Sequence, residues 1–311
     1  MRFKMVKHYT NFNIRKIHKG SIILIGNFDG LHLGHQKLFQ LAQSYKKKYN
    51  LKIGVVNFNP MPKMFFNKKL KNFRLSNIDQ KIKLLSKFKV DFVITKKFDK
   101  KFSETKALNF IIKILNKKLS SKFIFVSNNF RFGNKREGNV NLLIKYEKFF
   151  NYKVIKPEPF IKNKKTVSSS LIRNLLEKGF LDKANNLLNR NWTIQGFVKK
   201  GRQIGKKIGF PTCNIDIKDY VLAKPGVYAV KVLRKNSTKY LRGIANLGYR
   251  PTFNQKKILL EVHLFNFSGN LYNKLLTVEF IKFIREEKKF KNVNQLRAQI
   301  KKDLNIAKKT K

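Results

Sequence analysis

From Ser21 to about Val154, short apolar runs rich in β-branched and aromatic residues alternate with stretches in which apolar positions recur every three or four residues. The runs Ile22 to Ile25, Ile53 to Phe58, Phe92 to Thr95, Phe123 to Val126 and Tyr152 to Ile155 read as strands. Gln36 to Lys48, Ile78 to Phe88, Ala107 to Leu115 and Asn141 to Phe149 read as helices. Such alternation builds βαβ units on a parallel sheet and predicts a doubly wound, Rossmann-like α/β domain. After Lys164 the texture changes: Ser168 to Ser170 can cap a helix running to Glu177, and a second helical stretch, Asp182 to Leu188, ends near Asn189 and Arg190. The boundary is expected there, giving domains 1–188 and 189–311. Beyond Trp192 the runs Thr193 to Val198, Val227 to Val232, Ile258 to Leu264 and Leu275 to Phe280, punctuated by Gly and Pro, predict a small antiparallel β-barrel. One amphipathic helix, Asn292 to Asp303, follows it.

Composition narrows the class. A chain of 311 residues, 42% hydrophobic, is long enough for one large domain or two ordinary ones, and its single cysteine excludes an internal disulfide. No run approaches the roughly 20 apolar residues that cross a bilayer, and no signal-like segment precedes Gly20. A cytoplasmic chain without membrane contact is expected. The net charge of +53 points at face value to nucleic acid or another anionic surface. The lysines are spread along the whole chain, however, and accompany an excess of Asn, Ile and Phe, whose codons are rich in A and T. No nucleic-acid partner is therefore expected, although a basic nucleic-acid-binding protein on a nucleotide-binding scaffold is the alternative from a different class. It predicts binding with a steep salt dependence.

The first chemical candidate lies where the first predicted strand runs into Gly26-Asn27-Phe28-Asp29-Gly30-Leu31-His32-Leu33-Gly34-His35 and then a helix. A turn at the end of a parallel strand, feeding a helix N-terminus, offers backbone N–H groups and a positive dipole to a phosphate. Gly30 and Gly34 allow close backbone approach, and two imidazoles three residues apart can donate to a phosphate gaining charge in a transition state. Ordinary surface or capping histidines are the bland alternative. A zinc site lacks further ligands nearby.

These residues resemble the His-x-Gly-His signature of the nucleotidyltransferase superfamily, and within it bacterial FAD synthetase. Thr166-Val167-Ser168-Ser169-Ser170-Leu171-Ile172-Arg173 is similar to that family's second signature. The resemblance implies adenylyl transfer from ATP, with His32 and His35 catalytic and Gly26, Asn27, Phe28, Asp29, Gly30 and Gly34 around the nucleotide phosphates. It also implies that Ser169, Ser170 and Arg173 hold the phosphates that leave as pyrophosphate. Phe58, Pro60 and Pro62, with Asn129 and Arg131, would line the flavin pocket. The chain departs from the pattern at Asn128 and Asn129, where acidic residues are usual, and that departure motivates the alternative that only the second activity survives.

The second candidate is Gly201-Arg202-Gln203-Ile204-Gly205-Lys206-Lys207-Ile208-Gly209-Phe210-Pro211-Thr212-Cys213-Asn214, a Gly-rich basic loop ending in a rigid turn. It is not a Walker P-loop. Backbone N–H groups of such a loop can cover phosphates, and Thr212 with Asn214 can present oxygens to Mg²⁺. The loop resembles the riboflavin kinase signature, and the likeness continues through Pro225 to Ala229, Gly243 to Thr252, Leu260 to Leu264 and Ile284 to Phe290. It implies ATP contacts from Gly205, Lys206, Gly209 and Pro211, metal contacts from Thr212 and Asn214, a general base in Glu261 and a flavin contact from Arg285. The two resemblances together imply an enzyme that uses ATP and Mg²⁺ to turn riboflavin into FMN and FMN into FAD.

Overall fold

Ile22–Ile25 is buried at all four positions, the signature of a parallel strand covered by helices on both faces. A computed structural model of the chain describes residues 6–201, 204–217, 220–252 and 255–310. Packing groups the chain into two units, Met1–Lys71 with Ile78–Ser168, and Asn72–Asn77 with Ser169–Lys311.

In the first unit the strands are β1 (Lys7–Tyr9), β2 (Ile22–Ile25), β3 (Ile53–Asn59), β4 (Phe92–Lys97) and β5 (Phe123–Phe125). A short hairpin of β6 (Arg131–Phe132) and β7 (Gly138–Asn139) comes next, then β8 (Lys153–Ile155) and a second hairpin of β9 (Ile161–Lys162) and β10 (Lys165–Thr166). The six-stranded sheet has the order β1-β4-β3-β2-β5-β8 with parallel pairing throughout. The order reverses at β2, whose neighbours are β3 on one side and β5 on the other, and such switch points open a crevice at the C-terminal strand ends. Alternate residues of one strand feed opposite core layers. Ile23 and Ile25 pack with Phe110, Ile111, Ile114 and Leu115, while Ile22 and Leu24 pack with Phe39, Ala42 and Leu85.

The helix Leu33–Tyr49 starts three residues before the expected Gln36, because His32 already stands at its N-cap. Asn50 ends it in the left-handed conformation at φ 50°, a geometry Asn tolerates. The expected helix over 141–149 is instead two, Val140–Lys145 and Glu147–Phe150. The break at Tyr146 turns the Glu147 carboxylate to accept the Val154 N–H at 2.7 Å.

In the second unit β11 (Thr193–Lys199), β12 (Cys213–Ile215), β13 (Gly226–Arg234), β14 (Tyr240–Thr252), β15 (Gln255–Leu264) and β16 (Leu275–Glu286) close an antiparallel barrel in the order β11-β12-β15-β14-β13-β16. Its interior is filled by Ile194, Tyr228, Val230, Leu247, Leu260, Val262 and Phe280. The helices Ser169–Glu177 and Leu181–Leu188 add Ile172, Leu176, Ala184 and Leu188 to the same core. Segment 72–77 joins this unit through Trp192 Nε1, which donates to the Leu75 carbonyl at 3.0 Å. The terminal helix, Val293–Lys309, is capped by Asn292 Oδ1, which accepts the Gln295 N–H at 2.9 Å. At its far end Arg242 Nη2 donates to the carbonyls of Ala307, Lys308 and Thr310 at 3.1, 2.5 and 2.6 Å. Among the described residues no helix is long and apolar enough to cross a membrane.

Candidate active sites

The strand β2 delivers its C-terminal residue into a turn in which Phe28, Gly30 and Leu31 all take positive φ, 47°, 77° and 36°. That tight path folds the motif back so that His32 caps the helix Leu33–Tyr49 and His35 lies in its first turn. The two imidazoles stack, with centroids 3.7 Å apart and planes 22° off parallel. Phe28 meets His35 edge-on at 5.2 Å. A Cβ on Gly34 would lie 3.3 Å from the His32 ring and 3.3 Å from the Val167 carbonyl, so the absent side chain lets the pair close. His32 and Asp29 are buried, at 5% and 3% exposure. Asn27 Oδ1 and His35 Nδ1 are buried with no hydrogen-bond partner among the described residues.

Burial first, then the neighbouring His32 and the Lys81 charge, hold the His35 imidazole well below the ordinary histidine range. His35 is therefore neutral at pH 7. An anion placed against it would favour its charged form, so the pair is suited to meet phosphate charge. Lys81, on the helix Ile78–Lys87, is only 2% exposed. Its isolated letter gave no signal in a chain with 70 Lys and Arg.

Because β2, β3 and β5 are adjacent and parallel, the segments after them share the C-terminal edge of the sheet. Phe58, the residue before the last of β3, packs against Phe98 and Phe102, with centroids at 5.8 and 5.5 Å. Pro60 follows the strand, and Pro62 opens the helix Pro62–Phe66. Beyond β5, Ser127 Oγ donates to Asn129 Oδ1 at 2.9 Å. Asn128, Asn129 and Arg131 are exposed. Ser169, Ser170 and Arg173 start the helix Ser169–Glu177 of the other compact unit. There Arg173 Nε donates to the Phe73 carbonyl at 2.6 Å and its guanidinium lies 3.7 Å over the Phe73 ring.

The barrel site is assembled by register. Asn214 on β12 is paired with Glu261 on β15, and Glu261 with Asn246 on β14. Asn246 is paired with Val227 on β13, and Val227 with Arg285 on β16. Five residues thus form one row across strands spaced about 4.8 Å apart. The flanking residues Ile215, Leu260 and Val262 belong to the core; side chains alternate along a strand, so the row faces outward, toward the terminal helix. All five line a cavity of about 440 Å³, together with Gly205, Thr212 and Asp303.

Local packing fixes the corner of this cavity. A Cβ on Gly201 would fall 1.6 Å from Asn214 Nδ2, so only glycine lets the loop lie against that amide. Asn214 is 7% exposed, and its Oδ1 is buried without a partner among the described residues. The Gly205 carbonyl accepts the Phe210 N–H at 2.8 Å, which folds the loop, and Gly209 sits at φ 88°. His263 Nδ1 pairs with the Pro211 carbonyl at 2.8 Å. Pro211 and Gly209 do not line the cavity, whereas Gly205, Thr212, Asn214, Glu261 and Arg285 do. Arg202, Gln203 and the Lys206 side chain lie outside the described residues. Burial pushes the Cys213 thiol up to about 11, and Sγ is spent on the Val262 carbonyl at 3.4 Å; it is no nucleophile.

Residues 14–171 match the family model of FAD synthetase, and residues 188–311 match that of riboflavin kinase. The chain is 42% identical over 300 residues to the bifunctional riboflavin kinase/FMN adenylyltransferase of Buchnera aphidicola subsp. Schizaphis graminum, covering 96% of each. The chain belongs to the bifunctional riboflavin kinase/FMN adenylyltransferase family. The Escherichia coli K12 member is 37% identical over 285 residues, 92% of this chain and 91% of its own. A crystal structure from Streptococcus pneumoniae, described as a macrolide-efflux protein, superposes with a TM-score of 0.86 at 27% identity, over 99% of this chain and 100% of that one. Efflux is said of that protein alone.

Family membership makes the chain an enzyme with kinase and nucleotidyltransferase modules. Within this family frame, sequence reading missed Lys81 beside the imidazole pair, and Asn246 and Asp303 in the barrel cavity. Asn246 stands inside the quoted run Gly243 to Thr252, so its pairing with Glu261 was hidden only by the unread register.

Proposed function

We propose that the chain phosphorylates riboflavin to FMN in the barrel cavity and adenylylates FMN to FAD at the imidazole pair, spending one ATP in each step. Residues 1–188 are assigned to adenylylation and 189–311 to phosphorylation. The observation that carries the reading is the barrel row, in which a carboxylate, Glu261, stands between two amides, Asn214 and Asn246, on the wall of the cavity.

In the kinase step the ribityl 5′-hydroxyl attacks the γ-phosphorus of ATP, Glu261 takes its proton, and ADP leaves. Phosphoryl transfer is chiefly positioning and charge neutralisation, which the loop around Gly205, Lys206, Gly209 and Pro211 supplies from the phosphate side and Arg285 from the flavin side. In the adenylyl step an FMN phosphate oxygen attacks the α-phosphorus, and pyrophosphate leaves. His32 and His35 donate to the charge that develops, the turn from Gly26 to Gly34 cradles the phosphates, and Ser169, Ser170 and Arg173 retain the leaving group. Phe58, Pro60, Pro62, Asn129 and Arg131 receive the flavin.

A divalent ion fits the barrel site. The unpartnered, buried Asn214 Oδ1 beside Thr212 is the hard oxygen donor that Mg²⁺ prefers. Among the described residues no cluster of three His, Cys, Asp or Glu could hold a metal alone, so the ion is read as arriving on the nucleotide. When bound it neutralises phosphate charge.

The partners proposed are ATP, riboflavin, FMN and FAD, with no nucleic acid or membrane, and the location proposed is cytoplasmic. Chromatography of flavins after incubating riboflavin with ATP and Mg²⁺ tests the reading: FMN and FAD should both accumulate. FMN without FAD would favour the kinase-only alternative that the exposed Asn128 and Asn129 suggest. Absence of both products would refute it.

A further inference from the structure

Two carboxylates in the cavity wall, Glu287 and Asp303, have no part in the roles assigned above, and of these Asp303 is the buried one. Asp303, on the terminal helix, is 1% exposed. Arg285 Nε donates to its two oxygens at 3.0 and 2.9 Å, and Arg285 Nη2 to Oδ2 at 2.7 Å. Gln299, one turn earlier, donates Nε2 to Asp303 Oδ1 at 2.8 Å. Arg285 Nη1 donates to the Glu286 carbonyl at 2.8 Å. A guanidinium carries five N–H donors. These bonds occupy the Nε donor and one on each terminal nitrogen, which among the described residues leaves one donor on Nη1 and one on Nη2 in a side chain that lines the cavity.

We propose that Asp303 is a positioning residue of the kinase site: its carboxylate grips the Arg285 fork so that the two remaining donors are held ready for an oxygen acceptor of the bound flavin substrate. The proposal rests on the reading of Arg285 as a flavin contact. A two-point carboxylate grip fixes the guanidinium plane, and an arginine ordered before binding loses little rotamer freedom on binding. Leu296, Ile300 and Asp303 follow the i, i+4, i+7 spacing of one helix face, and all three line the cavity. Holding the helix to the barrel does not require this ion pair, because Arg242 already binds three carbonyls at the helix end. A buried ion pair adds little net stability as a whole, but loss of one partner leaves the other charge uncompensated, so the folding of each variant is checked by Trp192 fluorescence.

The test is Asp303→Asn in the full chain, which keeps the shape and removes the charge. Expected are a rise of about tenfold in KM for riboflavin, a kcat within about threefold of the parent, an unchanged KM for ATP and unchanged adenylylation of supplied FMN. Asp303→Glu should recover part of the riboflavin affinity. A riboflavin KM equal to the parent's overturns the proposal, as does a kcat loss that tracks partial unfolding at constant KM. Arg285→Lys separates the two layers. If it leaves the riboflavin KM unchanged, the flavin reading of Arg285 fails; if it raises KM and Asp303→Asn does not, only the positioning role fails. Should Asp303→Asn not fold, Gln299→Leu takes its place, with a riboflavin KM about threefold higher supporting the proposal and no change overturning it.

Discussion

The two sites are built by opposite means. At the end of β2 a single run of ten residues, Gly26 to His35, supplies turn, helix start and both imidazoles, so local backbone geometry does most of the assembly. In the barrel no two members of the row Asn214, Glu261, Asn246, Val227 and Arg285 are neighbours in sequence; the closure of five strands brings them level. A site written into one turn tolerates distant change, whereas a site written into register depends on everything that sets the register.

The largest expected effect breaks the barrel side alone. Gly201→Ala puts a Cβ into Asn214, and displacement of a reacting group's neighbour by about 1 Å costs on the order of 100-fold. FMN formation should fall by that factor while adenylylation of supplied FMN stays at the parent rate; an equal loss in both would dissolve the contrast. On stability, as distinct from activity, the largest effect is expected of Phe280→Ala. Phe280 is fully buried and lies 4.8 Å from the Trp192 ring, and loss of a core Phe costs about 3–5 kcal/mol. Trp192 is the chain's single tryptophan, so its fluorescence during urea unfolding reads the barrel directly.

A pH series sharpens the other side. The folded His35 is held below the ordinary histidine value, so the unfolded chain binds the extra proton. Stability from this group is complete above about pH 6.5 and is lost as pH falls toward the folded value, by about 1.4 kcal/mol per pH unit. His8 and His18 are shifted the same way, in both cases chiefly by burial. Far-UV unfolding between pH 7.5 and 5.5 should show the loss, and His35→Gln should reduce it, leaving the part owed to His8 and His18. A slope unaltered by His35→Gln would place the acid sensitivity elsewhere. The smallest effect is Asn292→Ala, which removes the cap on the helix that walls the cavity and costs about 1 kcal/mol. The Trp192 unfolding midpoint should drop slightly, with adenylylation unaffected.

How much was legible in the sequence follows the same division. The β2 strand and its motif were readable because period and turn chemistry are local; only the helix start was late, since Leu33 and Gly34 do not look helical beside a glycine-rich turn. The barrel was expected as a class, yet β14 escaped because Gly243, Asn246, Gly248 and Pro251 punctuate it like a loop. Its thirteen residues are held by pairing with β13 and β15, a tertiary cause. Glu261 was found through family likeness, but its neighbour Asn246 and the Asp303 grip needed the register and the helix packing. The joining of segment 72–77 to the barrel core through Leu75 and Trp192 left no local trace at all.

Independence of the two sites is the central claim, and one paired assay tests it most directly. His35→Ala and Glu261→Ala proteins are each given riboflavin, or FMN, with ATP and Mg²⁺, and the flavins are separated by chromatography. His35→Ala should make FMN at the parent rate and no FAD; Glu261→Ala should make FAD from supplied FMN and lose roughly 100-fold or more of its FMN synthesis. Loss of both activities from either single change would contradict the account.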